Sequence, residues 1–306
     1  MQQKIPNFLV CGPPKCASTS IYFYLKQHPE IYMSPEKQIR FFSVYYDKGA
    51  DFYINTYFSG ITTEKMAGEA TPTYSLLPFV AKRIYDYNPE MKLVFCLRNP
   101  VERTFSGYTM RANNGTEHLS FREAITENLK QRETVKFESE KDAADWAADM
   151  IRGDRLEETG FRTYLEGSLY ATNLRHYLKY FSLSQIKVVF LDNLQKDLHG
   201  TLKEIYTFLG VDPNYVIEKT EQKNTYKKSK LKFLEPILGK NKPLSKMLAR
   251  IMPGGIKKKI LDTMYVEGSK KKLTPEDRKF AYEILKNEID DLEKLLSIDL
   301  SHWKLS

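Results

Sequence analysis

The sequence predicts an α/β fold: a P-loop-like parallel β-sheet with helices on both faces, built as a single domain. Three observations carry that expectation. Short continuous apolar runs such as Phe8–Cys11 and Lys92–Arg98 read as strands buried on both faces. Stretches with apolar residues at helical spacing lie between them, and strands alternating with helices imply a parallel sheet. The first strand also runs into a Gly/Pro turn containing a lysine, CGPPKCASTS, just before a helix. That order points free backbone N–H groups and the positive end of a helix dipole at whatever occupies the turn.

In chain order, Phe8–Cys11 is the first strand, and the helix after the turn shows Ile21, Tyr24, Leu25 and His28 at helical spacing until Pro29 stops it. MAGEATPTYS, residues 66–75, reads as a short strand entering a turn, and PFVAKRIYDYNP as a helix closed by Pro89. Lys92–Arg98 is the clearest buried strand, and the helix after it starts at Pro100, whose fixed φ suits a first helical position. Residues 120–165 are charged and helix-prone, and read as a solvent-facing insertion or lid. SLYATNLRHYLKYF is an amphipathic helix with Leu169, Leu174, Tyr177 and Leu178 on one face. Gln185–Leu194 is a further strand, and TLKEIYTFLGV a helix ending at Gly210. The last helix has Thr274 as cap, Pro275 at its first position and Glu276 and Asp277 in its first turn, with Phe280, Ile284, Leu292, Leu295 and Leu296 as its apolar stripe.

The chain has 306 residues, 42% of them hydrophobic and 13% aromatic, which is globular and long enough for a sizeable core. It shows no repeat and no low-complexity segment. Three cysteines without regular spacing suit neither a disulfide framework nor a zinc site, so a reducing compartment is expected. No window reaches the roughly 18 apolar residues of a membrane span, and the first apolar stretch is too short for a signal peptide. The expected location is cytoplasmic. The formal charge is +8. Between Lys240 and Lys272 stand ten basic residues against Asp262 and Glu267, so this one segment carries the whole excess. A basic face there suits a dimer contact or an acidic surface. It lacks the interleaved aromatics of a single-strand nucleic-acid platform, and no nucleic-acid partner is expected.

The turn differs from a nucleotide-triphosphate P-loop. Lys15 follows Gly12 by three residues and is followed by Cys16, so the hydroxyl that would hold magnesium is missing from its place. The second strand end carries a cation, Arg98, with Arg103 and Ser106 on the helix beyond it. Ligands of parallel sheets sit beyond the carboxyl ends of the strands. Two cationic strand ends favour a ligand with two separate phosphates and no metal.

LVCGPPKCASTSIYFYLKQHPEIYMSPEKQIRFFS followed by LVFCLRNPVERTFSGY resembles the sulfotransferases that use 3′-phosphoadenosine 5′-phosphosulfate (PAPS), particularly the branch with bacterial enzymes and heparan sulfate sulfotransferases. The resemblance fades over 120–160 and 235–270. It implies that Lys15, Cys16, Ala17, Ser18, Thr19 and Ser20 hold the 5′-phosphate, with Ala17 in place of the family's usual glycine. It likewise implies that Arg98 and Ser106 hold the 3′-phosphate. TYKKSKLK resembles the basic loop that closes over the nucleotide, offering Lys228, Ser229 and Lys230 to the 3′-phosphate and Tyr226 to adenine. Lys15 would also meet the charge that grows on the leaving oxygen, and the product would be adenosine 3′,5′-bisphosphate (PAP).

The heparan sulfate branch places a glutamate base and a histidine just ahead of paired phenylalanines. Here Gln38 and Arg40 stand at those positions before Phe41 and Phe42, and neither accepts a proton usefully. Glu36, Glu69 and His118 are the substitutes expected for the base, and Lys37 and Arg40 are candidates to steer an anionic acceptor or stabilise sulfuryl oxygens. The acceptor class is a hydroxyl, or an amine, of a glycan or small metabolite. Two other readings stay open: a nucleotide kinase, and a nucleotide- or acidic-polymer-binding protein with weakened catalysis.

Overall fold

The computed structural model describes residues 5–134, 162–220, 227–229, 265–267 and 272–305. Five parallel strands form one sheet in the order β2-β3-β1-β4-β5. They are β1 (Phe8–Val10), β2 (Ile31–Met33), β3 (Met66–Ala70), β4 (Lys92–Leu97) and β5 (Ile186–Phe190). Strand β1 lies between β3 and β4, with Val10 opposite both Ala70 and Val94. The expected α/β architecture is present. Two further short strands, β6 (Lys227–Ser229) and β7 (Tyr265–Glu267), pair antiparallel.

Side chains alternate across the sheet with the period of two that strands impose. Leu9, Cys11, Leu93, Phe95 and Leu97 belong to one buried cluster. It is closed by α2 (Phe41–Val44), α3 (Gly49–Tyr57), α4 (Pro78–Tyr87), α7 (Tyr170–Leu178) and the long α10 (Pro275–Leu296). Phe8, Val10, Val94 and Cys96 face the other way, against α1 (Ser18–Leu25) and α9 (Leu198–Leu209). Continuous apolar strands follow, because a sheet covered on both faces has no solvent side.

The third cluster departs from the expected solvent-facing insertion. Phe121, Ala124 and Ile125 of α6 (Phe121–Thr134) are buried against Phe105 and Tyr108 of α5 (Pro100–Asn113) and Leu285 of α10. Burying that face is worth roughly 2 kcal/mol for the Phe121 ring, and it makes α6 part of the core. Residues 135–161 of that segment lie outside the described residues, as does the basic stretch except 265–267 and Lys272.

Four other boundaries differ from the sequence reading. The run Gln185–Leu194 is a strand only to Phe190, and Leu191–Lys196 turns into helix α8. Helix α9 begins at Leu198, three residues earlier than expected, because Asp197 accepts the Gly200 N–H at 2.8 Å as its cap. Edge strand β2, together with α2 and α3, was not expected. In α10 the fully buried residues are Ala281, Leu285, Ile289 and Leu292, while the other residues of the expected stripe, Phe280, Ile284, Leu295 and Leu296, pack partly buried beside them.

Candidate active site

The two loops that leave the carboxyl ends of neighbouring β1 and β4 build the site. After β1 the chain makes the turn Cys11–Ala17 and enters α1. Gly12 is required by a close approach: a Cβ there would lie 2.4 Å from the Cys96 backbone nitrogen of β4. Lys15 and Ala17 both take left-handed backbone, with φ of 77° and 61°. Ala17 caps α1 without any side-chain hydrogen bond, so the first-turn amides are unmet by a cap and available to an anion. The same φ gives a reason for glycine at that place, since an alanine there is strained by about 1 kcal/mol or more.

After β4, Asn99 accepts the Val101 and Glu102 N–H groups at 3.0 and 3.3 Å and starts α5, with Pro100 at its first position as expected. Arg98 stands at the strand end and donates to Glu102 Oε2 at 3.1 Å, while Glu102 Oε1 is taken by Arg278 of α10. Ser106, half-buried, lies two turns further along α5.

Arg103 ties the loops together. It is 4% exposed, and its Nε donates to the Pro14 carbonyl at 3.0 Å while Nη1 reaches the Tyr164 carbonyl at 2.6 Å. Gly167 leaves the room for this, since a Cβ there would lie 2.1 Å from the guanidinium carbon. Tyr170 backs the loop from below, its hydroxyl 3.8 Å from Cys16 Sγ. Neither clamp was assigned from sequence. Arg103 was visible as a cation on the helix, but what it grips is 89 residues away.

The charges do not balance locally. Lys15 is pulled below the usual ammonium range by burial first, then by Arg103 and Arg98. Among the described residues no carboxylate pairs with it. Three cations therefore converge where two strands end, and a polyanion would relieve the repulsion. The same loop receives a fourth basic side chain: Lys37 Nζ donates to Thr19 Oγ1 at 2.6 Å and lies 3.5 Å from Ser18 Oγ.

These local features meet the comparison with known proteins. A family model described as the sulfotransferase domain matches residues 6–293. The chain belongs to the sulfotransferase domain family. A membrane-associated sulfotransferase, kil1 of Dictyostelium discoideum, is 27% identical over 266 residues, covering 68% of this chain and 56% of that protein. Heparan sulfate glucosamine 3-O-sulfotransferase 6 of Mus musculus is 26% identical over 251 residues, covering 79% and 64%. The mouse bifunctional heparan sulfate N-deacetylase/N-sulfotransferase 4 is 28% identical, with 23% of its length covered. The chain thus spans less than two thirds of each of these relatives. A solved sulfotransferase of Alicyclobacillus acidocaldarius superposes with a TM-score of 0.66 at 24% identity over 98% of this chain and 99% of that one, which shows a shared fold.

Within this sulfotransferase domain the candidate bases fall in different places. Glu69, the next-to-last residue of β3, has 0% exposure. Its carboxylate accepts Thr71 Oγ1 at 2.6 Å and the Tyr74 hydroxyl at 2.7 Å. Burial pushes it up to about 7, against those hydrogen bonds and the Lys37 charge. Glu36 is exposed, and its charge is felt at Tyr57 of α3. His118 is exposed in a depression of about 550 Å³ with Phe105, Tyr108, Phe121, Lys272 and Asp277, between α5, α6 and the start of α10. No described contact joins His118 to the phosphate-type loop. Gln38 and Arg40 also hold left-handed backbone, at φ 63° and 61°. Arg40 N–H donates to Thr71 Oγ1 and Phe42 N–H to the Tyr74 hydroxyl, so this strained segment hangs on the two side chains that serve Glu69. Lys228 and Ser229 lie in β6, whereas Tyr226 and Lys230 lie outside the described residues.

Proposed function

We propose that this chain is a PAPS-dependent sulfotransferase acting on a hydroxyl, or an amine, of a glycan or small-molecule acceptor. The observation that carries this is the pairing of β1 with β4, which sets the Lys15 loop beside Arg98 and Ser106. PAPS supplies an activated sulfuryl group on its 5′-phosphate and a separate 3′-phosphate for recognition. Lys15, the Ser18, Thr19 and Ser20 hydroxyls and the α1 amides take the 5′ end, and Arg98 with Ser106 takes the 3′-phosphate. Cys16 and Ala17 contribute backbone, and Lys228 and Ser229 join the 3′ side by family resemblance. The convergence of Lys15, Arg98 and Arg103 without a described carboxylate at Lys15 suits a polyanion. Sulfuryl transfer needs in-line positioning and charge stabilisation, and Lys15 meets the growing charge without a metal.

Among the described residues no helix is long and apolar enough to cross a membrane. We infer a cytoplasmic setting, which suits three buried free thiols. The deciding experiment is calorimetry with PAP in chelator, followed by a PAPS-dependent screen of hydroxylated and amino acceptors. Binding by the native chain that is lost in Arg98→Ala supports the reading. Absence of binding, or equal binding by Arg98→Ala, overturns it.

A further inference from the structure

A guanidinium recognises a phosphate through the direction of its N–H groups, so what holds its plane matters as much as its charge. At the end of β4 the hold on Arg98 comes from one side chain. Arg98 Nη2 donates to Glu102 Oε2 at 3.1 Å, and among the described residues its guanidinium has no other side-chain partner. Glu102 lies in the first turn of α5, the turn that Asn99 caps. Its other oxygen, Oε1, accepts from Arg278 Nη2 near the start of α10, 176 residues along the chain. One carboxylate therefore sits between two arginines from two helices.

This arrangement is not needed to pack the helices. Ala281 and Leu285 of α10 already share a buried cluster with Val101 and Phe105 of α5. The side chains of Arg98, Glu102 and Arg278 are 26%, 30% and 36% exposed, and ion pairs this open to water add little stability. What they fix is a direction. The start of α10 is itself anchored: Arg278 donates its backbone N–H to the Thr274 carbonyl at 2.9 Å, and neighbouring Asp277 is engaged by Arg122 of α6 at 2.7 Å.

We propose that Arg278 is a positioning residue for the 3′-phosphate site, acting through Glu102 to hold Arg98 in the orientation that meets that phosphate. This rests on the donor reading made above. A carboxylate beside an anion site has two costs: it repels the arriving phosphate, and it draws the arginine onto itself. Arg278 offsets both. It takes one carboxylate oxygen, leaving the other for Arg98, and two guanidinium charges against one carboxylate leave the group with one net positive charge. Of the five N–H donors of Arg98, one is spent on Glu102, and the rest remain for a ligand. A segment far along the chain thereby sets how strongly the 3′-phosphate is read.

The test compares PAP with adenosine 5′-monophosphate (AMP), which lacks the 3′-phosphate, using calorimetry for PAP and displacement of bound PAP for AMP. Arg278→Met is expected to weaken PAP about tenfold, the scale of one charge-assisted hydrogen bond, and AMP by less than about twofold. Arg278→Lys, which keeps a cation for Glu102, should recover most of that loss. In a Glu102→Gln background, Arg278→Met should cost no further PAP affinity, because no charge remains for Arg278 to hold. No loss of PAP affinity, or an equal loss for PAP and AMP, overturns the proposal. So does an undiminished loss in the Glu102→Gln background, which would mean that Arg278 acts on the nucleotide without Glu102. These outcomes leave the donor reading standing, whereas a native chain that binds PAP no better than AMP overturns both. Should Arg278→Met fail to fold, Arg278→Gln at this partly exposed position answers the same question.

Discussion

Arg103 Nε donates to the Pro14 carbonyl at 3.0 Å, so the helix that follows β4 holds the loop that follows β1. The guanidinium also serves the Thr163 and Tyr164 carbonyls. Arg103→Met would strand these acceptors in a buried site and is expected to destabilise the fold by about 3 kcal/mol. Urea unfolding measures that loss, and calorimetry should show weaker PAP binding by the folded fraction as the loop loses its anchor. Unchanged stability would show that the clamp is dispensable.

Lys15 presents the contrasting case. Its ammonium has no partner among the described residues and is disfavoured first by burial and then by its cationic neighbours. Lys15→Ala is expected to leave the unfolding midpoint unchanged or slightly raised. Turnover should fall by about 10²- to 10³-fold, the usual effect of removing one donor from a developing charge. A steady-state assay with labelled PAPS, beside a thermal melt, separates the two effects.

At Ala17 the backbone is left-handed. Ala17→Gly is expected to relieve strain of about 1 kcal/mol, partly offset by the freer unfolded chain. Gly12→Ala should do the opposite, since the new methyl meets the Cys96 main chain and neither strand can yield. The pair is checked by thermal melts in parallel. A stabilised Gly12→Ala would contradict the packing of β1 against β4.

Glu69 gives stability a pH dependence. Its folded pKa, about 7, lies above the ordinary carboxylate value of 4.5 because burial penalises the charge. The folded state therefore binds more protons than the unfolded one between those values. Its contribution is fully present below pH 4.5 and is lost as pH rises through 7. The span corresponds to about 3 kcal/mol. Urea titrations of the native chain and of Glu69→Gln should differ by a gap that moves by that order across pH 4.5 to 7. A constant gap would mean that the carboxyl is not sealed.

Segments whose structure depends on near neighbours in the chain were legible. The apolar runs at β1 and β4 are buried on both faces, Asn99 and Pro100 start α5, and Thr274 and Pro275 start α10. A cap or a proline acts within three or four residues, so its signal survives in one dimension. Strand β2 was missed because its apolar run, Ile31–Met33, ends with the strand between Glu30 and Ser34, whereas that of β1 continues through Cys11 into the Gly/Pro turn. It forms because β3 offers an edge that pairs Met33 with Gly68. The run at 185–194 was over-extended because an apolar stretch suits a buried strand and a buried helix alike.

By itself the sequence determined that two strands end in cations, Lys15 and Arg98, each followed by a helix. It also determined that Gln38 and Arg40, neither of which accepts a proton usefully, stand just ahead of Phe41 and Phe42. Only the tertiary structure decided that those ends are hydrogen-bonded neighbours, that Arg103 locks one loop to the other, and that Lys37 reaches Thr19 with Glu69 sealed behind the strained segment. Caps, turns and apolar runs are local interactions. Burial and charge coupling depend on which distant segments the sheet order brings together, and that order follows from the packing of the whole chain.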